Sequence, residues 1–475
     1  MIKPFKIALL LVFIQVSLGL IIYFIPDEGI NVTDGVSIEF SKPKDFYEDK
    51  LREIKVVEEI AQQYSEEELS DDTLLANNID SSLLQEVIVL EESERIIHPS
   101  DFENGLYSFY HKLGELNELE KPLRILHFGD SQLEGDRISG VIRENLQTLF
   151  GGCGVGFIPI SETNTGRLNV LKQERGWERY QVFGKGRKGT HSKYGFLGYY
   201  YRVGKDSLIN KHASIELRKN RRYFKKAQDF ETFSVLYGNA TDSFQFKLKN
   251  DTGVLAMGNL AKTDYVNRKI WQVDGFNQGK ISLSFDALNS PDVYGVSLDC
   301  KQGIAVDNIA LRGSSGTEFT RMNKEYLTQQ LKGLNVGLII YQFGLNVVGA
   351  ELKSYKYYEN RIYRQLKLLK EILPEASILV ISVTDACKNE DESFAYIDRV
   401  RDAQKSAAKR ADCSFWDLYE VMGGELSMPS WVNATPSLAE KDFKHFNVRG
   451  AKVVGKKLFN AIISDYNDFK SSSIN

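Results

Sequence analysis

Five residues, far apart in the sequence, could together perform acyl transfer. Ser131 follows Gly-Asp at the end of an apolar run, in LRILHFGDSQLEGDRISGVIRENLQTLFGG, Leu123 to Gly152. A serine just ahead of a helix meets free N–H groups and partial positive charge, which favour its oxygen as it turns negative. The same residue could also do no more than cap that helix. A serine nucleophile needs a base, and the chain has six histidines: His98, His111, His127, His191, His212 and His445. His127 lies on the apolar run and reads as a core residue. His98 and His111 precede it, while His191 and His212 fall in a stretch of different texture. His445, in EKDFKHFNVRGAKVVG, has Asp442 three residues before it and a helix-forming stretch after it. Residues i and i+3 share one side of a helical turn. Asp442 can then hold one ring nitrogen and leave the other for a serine hydroxyl. Taken alone, the pair fits a surface contact in a helix-entry loop better.

Acyl transfer also needs donors for a tetrahedral oxyanion. Asn346 in YQFGLNVVG and Gly313 in IALRGSSG each lie just past an apolar β-type run. With the N–H of Ser131 they make three donors, and loss of one such donor costs ~3 kcal/mol of transition-state stabilisation. Other signals point elsewhere. GGCGVG follows a helix and lacks the lysine of a phosphate-binding loop, so no nucleotide is expected. Glu134 and Asp136 could be paired carboxylates for glycosidic cleavage, but two acids in one polar turn are commoner as charge complements at a helix start. No histidine–carboxylate cluster calls for a metal. RKNRRYFKK carries Arg218, Arg221 and Arg222. It fits a solvated hairpin edge or a contact for an anionic glycan. Trp177 and Trp271 could stack on sugar rings or fill a β-core.

These residues need a scaffold that brings four segments to one edge. RILHFGD, VGLIIYQFG, SILVISV and SFWDLY read as strands. RISGVIRENLQTLF, ELKSYKYYENRIYRQLKLLKEIL, ESFAYIDRVRDAQKSAAKRA and RGAKVVGKKLFNAI read as amphipathic helices. Alternation of this kind predicts an α/β fold, a parallel sheet covered on both faces. Ligands then bind beyond the carboxyl ends of its strands. Between the halves, SFQFKLKN and KISLSFDA alternate apolar and polar residues, which predicts antiparallel strands.

In chain order, Ser131, Gly313, Asn346, Asp442 and His445 resemble the blocks of the SGNH (GDSL-type) hydrolase superfamily. GDS stands as the first block, the Gly313 loop as the second, GLN as the third and DFKH as the DxxH block. The resemblance covers about Leu123 to Phe157 and Ala305 to Ile463. The chain departs from the pattern at Gln132, where leucine is usual, at Val347, where aspartate often follows the asparagine, and in a long insert before the second block. The insert, with VDNIALRGSSG, FWDLYEVMGG and WVNATPSLAEKDFKHFNVRGAK, is similar to the peptidoglycan O-acetylesterase branch, which carries a carbohydrate-binding-like β-sandwich at this place. The resemblance implies a flavodoxin-like SGNH fold. It implies Ser131 as nucleophile, His445 as base, Asp442 as its partner, and an oxyanion hole of Ser131, Gly313 and Asn346. The implied activity is removal of O-acetyl groups from a cell-wall or exported polysaccharide, without a cofactor. One alternative is an O-acetyltransferase using the same triad, with a membrane-bound O-acyltransferase as partner. Another is a non-catalytic glycan-binding protein.

The 475 residues, 42% hydrophobic and 26% charged, have the composition of a folded protein of two or three domains. Twelve acidic and no basic residues lie between Glu58 and Glu94. The remainder is mildly basic, 60 Lys and Arg against 52 of the 64 Asp and Glu, far from a nucleic-acid footprint. At the N-terminus, Lys3 and Lys6 precede nineteen mostly apolar residues, Ile7 to Ile25. As a helix they would span about 28 Å, close to a bilayer core. The cationic end should stay in the cytoplasm. No small-x-small cleavage site is evident, which favours an uncleaved anchor over a secreted form. The resulting plan is a transmembrane helix over 1–26, an acidic tether over 27–100, hydrolase segments over 101–158 and 308–475, and an inserted β-sandwich over 159–307. The expected location is a bacterial cell envelope, the body in the periplasm. Cys153, Cys300, Cys387 and Cys413 show no metal spacing, and sequence alone does not pair them.

Overall fold

The computed structural model describes residues 30–33, 36–38, 88–99, 105–162, 166–204, 211–220, 224–276, 279–350, 352 and 354–473. Ile30–Thr33 and Val36–Ile38 pair as an antiparallel hairpin within an N-terminal unit, Met1–Ile60. Everything below concerns the unit Ala61–Asn475. The expected membrane helix and most of the acidic tether lie outside the described residues. Among the described residues no helix is long and apolar enough to cross a membrane.

The apolar runs form five parallel strands: β1 (Leu123–Gly129), β2 (Ile304–Ala310), β3 (Val336–Gln342), β4 (Ser377–Ile381) and β5 (Ser414–Trp416). Their order is β2-β1-β3-β4-β5, the flavodoxin-like arrangement. All seven residues of β1 and of β3 are buried, as expected for strands covered on both faces. Right-handed crossovers run from β1 one way to β2 and from β3 the other way to β4. They place helix α1 (Ser139–Phe150) and helix α2 (Lys356–Ile372) on opposite faces. Helix α3 (Ile397–Arg410) packs on α2, and the terminal helix α4 (Val448–Ser473) packs on α1. The chain must therefore return from the edge strand β5 to the middle of the sheet before α4 begins. That return carries residues 417–447 across the carboxyl ends of the strands.

The antiparallel region is a sandwich of a five-stranded and a six-stranded sheet. Ile215, Leu217, Phe233, Val235, Leu248, Leu283 and Phe285 are buried in its core. It starts earlier and ends earlier than the alternating texture places it. Gly156–Ile158 already pairs with the sandwich strand Asp292–Asp299, and β2 begins at Ile304. The polar pair Asp307–Asn308 interrupts the apolar run of β2, yet both are buried. Asp307 Oδ1 accepts from Arg124 Nη1 at 2.6 Å and from the Phe157 N–H at 2.8 Å. Arg124 Nη2 also donates to Asp299 at 2.8 Å. This network joins sandwich to sheet, and removing one partner would strand a buried charge at ~3–5 kcal/mol. A Cys153–Cys300 disulfide closes the same junction, while Cys387 and Cys413 are free and buried. The GGCGVG stretch is packed there: a Cβ on Gly154 would lie 2.2 Å from the Leu298 carbonyl oxygen.

Candidate active site

Strand β1 ends at Gly129, where a side chain is excluded. A Cβ there would lie 2.6 Å from Leu133 and 2.7 Å from the Gln342 carbonyl oxygen. The chain then turns through Ser131–Asp136. Asp130 holds this turn: Oδ1 accepts from the Gln132 N–H at 3.1 Å, and Oδ2 from the Leu345 N–H at 3.2 Å. Burial pushes the Asp130 carboxyl up to about 6, against those hydrogen bonds and the His445 charge. The β2 loop lies on one side, tied by the Leu311 N–H to the Gly129 carbonyl at 2.8 Å. The β3 loop lies on the other.

Ser131, 8% exposed, sits at the floor of this edge. Its Oγ is 2.9 Å from His445 Nε2, and His445 Nδ1 is 2.6 Å from Asp442 Oδ2. The carboxylate assigns the tautomer: Nδ1–H donates to Asp442, leaving Nε2 to accept the serine proton. Asp442 Oδ1 accepts from the N–H groups of Lys444 and His445, both at 3.0 Å. Partial burial raises the Asp442 carboxyl, but the bonds from the His445 ring and these two amides outweigh it and hold it below the ordinary carboxylate value. The side chain of His445 is 29% exposed and that of Asp442 47%, so the relay opens to solvent on one side.

Asn346 and Gly313 lie on the two flanking loops. Asn346 Nδ2 donates to the Ser314 carbonyl at 2.9 Å, joining those loops. Among the described residues its other amide hydrogen has no partner. Gly313 is exposed, with φ +80° and nothing within 4 Å of an added Cβ. Among the described residues neither is bonded to Ser131, His445 or Asp442.

Several sequence candidates are used structurally. Trp177 Nε1 donates to the Ser214 carbonyl at 2.9 Å, and its ring meets Phe285 edge-on at 5.8 Å. Trp271 packs on Phe246 at 5.0 Å and Phe233 at 6.1 Å. Both rings are partly buried and pack against the sandwich core. Arg218 is exposed and pairs with Glu216 at 2.6 Å. Arg221 and Arg222 lie outside the described residues. Asp136 is buried against Arg143 at 2.5 Å, and Glu134 pairs with Arg312 at 2.9 Å. His127 is buried beside Gln342 at 3.0 Å, and burial drives its ring down to about 3, which keeps it neutral.

Two residues at the site escaped the sequence reading. Gln132 Nε2 donates to the Lys444 carbonyl at 2.8 Å, and its Oε1 accepts from the Phe446 N–H at 3.2 Å. Arg137 donates to the carbonyls of Phe446 at 2.6 Å, Glu134 at 2.9 Å and Ser131 at 3.4 Å. The only hint for Gln132 was its departure from the leucine of the pattern.

No protein-family model matches the sequence, and no curated protein matches it significantly. Among solved structures the chain is similar to one described as a peptidoglycan O-acetylesterase in action. The TM-score is 0.61 at 18% identity, over 76% of this chain and 96% of that one. This likeness shows the fold, a parallel α/β body with an inserted β-domain. An acetyl xylan esterase, AlAXEase, matches at TM-score 0.27 and 14% identity over 34% of this chain and 81% of that one. A family 35 carbohydrate-binding module from Clostridium thermocellum matches at 0.18 and 10%, over 26% and 89%. These two partial likenesses carry no argument.

Proposed function

We propose that this protein is a serine esterase that removes O-acetyl groups from a cell-wall or exported polysaccharide. The supporting observation is the relay Ser131–His445–Asp442, with steps of 2.9 Å and 2.6 Å, at the carboxyl edge of a parallel sheet. His445 Nε2 takes the Ser131 proton as Oγ attacks the acetyl carbonyl. Asp442 holds the ring and stabilises the imidazolium that forms. The N–H groups of Ser131 and Gly313 and the free amide hydrogen of Asn346 are the donors assigned to the oxyanion. His445 returns the proton to the departing sugar oxygen, leaving an acetyl-serine. Water, deprotonated by His445, then releases acetate.

The relative with the same fold acts, by its description, on peptidoglycan, so O-acetylated peptidoglycan is the first substrate to try. The N-terminal apolar segment completes the proposal: an inner-membrane anchor that holds the body in the periplasm of a bacterial envelope. The test uses the full-length chain with O-acetylated peptidoglycan and an O-acetylated exopolysaccharide, with and without unacetylated acceptor. Free acetate from wild type and none from Ser131→Ala is the expected result. Acetate moving to the acceptor instead would make the enzyme a transferase. Glycan binding with neither reaction would refute catalysis.

A further inference from the structure

The relay is built from two segments whose partners lie 314 residues apart. Asp442 and His445 share one exposed loop, so their mutual bond fixes the ring within that loop. It does nothing to hold the loop against Ser131. Something else must set the distance between Oγ and Nε2.

We infer that Gln132 and Arg137 are positioning residues that clamp the His445 loop to the serine turn. Gln132 is the neighbour of the nucleophile and is 2% exposed. Its carboxamide brackets His445: it donates to the carbonyl one residue before and accepts from the N–H one residue after, at 2.8 Å and 3.2 Å. Both functions of one rigid amide are used on one backbone segment, which fixes lateral position as well as distance. Its second hydrogen points to Thr384 Oγ1 at a long 3.4 Å. Arg137 supplies the other jaw, with one guanidinium bridging the Ser131 and Phe446 carbonyls at 3.4 Å and 2.6 Å. Contacts from outside the serine turn also reach the loop, among them the Cys387 N–H to the Phe443 carbonyl at 2.9 Å, the Lys444 ammonium over the Phe394 ring at 4.4 Å and the Trp431 ring on Phe446 at 5.0 Å. Leucine at 132 could offer packing but no directional bond. The glutamine here therefore replaces contact with register.

The activity arm of the test rests on the esterase reading; the exchange arm does not. In the full-length protein, Gln132→Leu should lower kcat for acetate release by about 100-fold, the cost of roughly ångström misplacement, with KM within about twofold. Amide exchange should accelerate at Lys444 to Phe446 and stay unchanged in the central strands. Arg137→Met should show the same split with a smaller loss, and Arg137→Lys should recover part of it. Thr384→Val, which removes only the long contact, should stay within about threefold of wild type. Wild-type kcat together with wild-type exchange in both Gln132→Leu and Arg137→Met would overturn the clamp. Faster exchange spread over the whole sheet would also overturn it, because that marks a general loss of stability. If wild type itself releases no acetate, the esterase reading fails while loop exchange still decides on the clamp.

Discussion

Polar side chains of the β-sandwich and its junction with the sheet are mostly buried and paired with one another, whereas the pair His445 and Asp442 at the rim of the parallel sheet is partly exposed. In the sandwich, Asp292 takes Arg202 at 2.6 Å, Asn239 at 2.9 Å and His191 at 3.0 Å. Asp299 is shared by Arg124 at 2.8 Å and Arg268 at 3.0 Å. Such networks fix how strands pack. At the rim, a chain of bonds runs from the part-exposed Asp442 and His445 inward to the Ser131 oxygen. The lesson is that charge density marks architecture in one region, while an unfinished relay marks chemistry in the other.

The contrast can be broken by substitution. Asp442→Asn should have the largest effect. An amide cannot hold the Nδ1–H tautomer, so acetate release should fall by about 10³-fold or more with the fold intact. A loss below tenfold would mean that Asp442 does not orient the ring. Trp271→Ala should do the reverse. Its ring fills the sandwich beside Phe246, so stability should drop by ~3 kcal/mol, read from chemical denaturation, while kcat on a small acetyl ester stays unchanged. Lost glycan affinity without lost stability would instead make Trp271 a binding residue.

A subtler probe is pH. The Asp130 carboxyl is raised to about 6 in the fold. Its protonated form therefore stabilises the native state fully below about pH 4, its ordinary value, and that contribution disappears as pH rises through about 6. Asp130→Asn should flatten the Tm profile between pH 4 and 7 relative to wild type. An unchanged slope would show that Asp130 does not titrate there.

The catalytic candidates were legible because histidine is scarce and Asp442 stands three residues from His445. The parallel sheet was legible because its strands are unbroken apolar runs. Residues 304–307 read as sandwich because Asp307 and Asn308 break such a run, and partners from distant segments, Arg124 and Phe157 for Asp307 and Ser139 and Leu133 for Asn308, make them tolerable inside a sheet. Trp177 and Trp271 gave no sign of which way they faced, since alternation marks two faces without saying which is inside. The Cys153–Cys300 bond spans 147 residues and depends on how the sandwich returns to β2. Gln132 is the sharpest case. Nothing local distinguishes it from any turn glutamine; its partners exist only once residues 417–447 have crossed the sheet.

The claim on which the rest depends is that Ser131 accepts an acyl group. Full-length protein mixed rapidly with p-nitrophenyl acetate, quenched in acid, digested and weighed by mass spectrometry tests it directly. The account predicts one added acetyl group on the peptide containing Ser131, accumulating within the first turnover and absent from Ser131→Ala. Acetate release by wild type with no acetyl group on Ser131, or with release retained in Ser131→Ala, would contradict it.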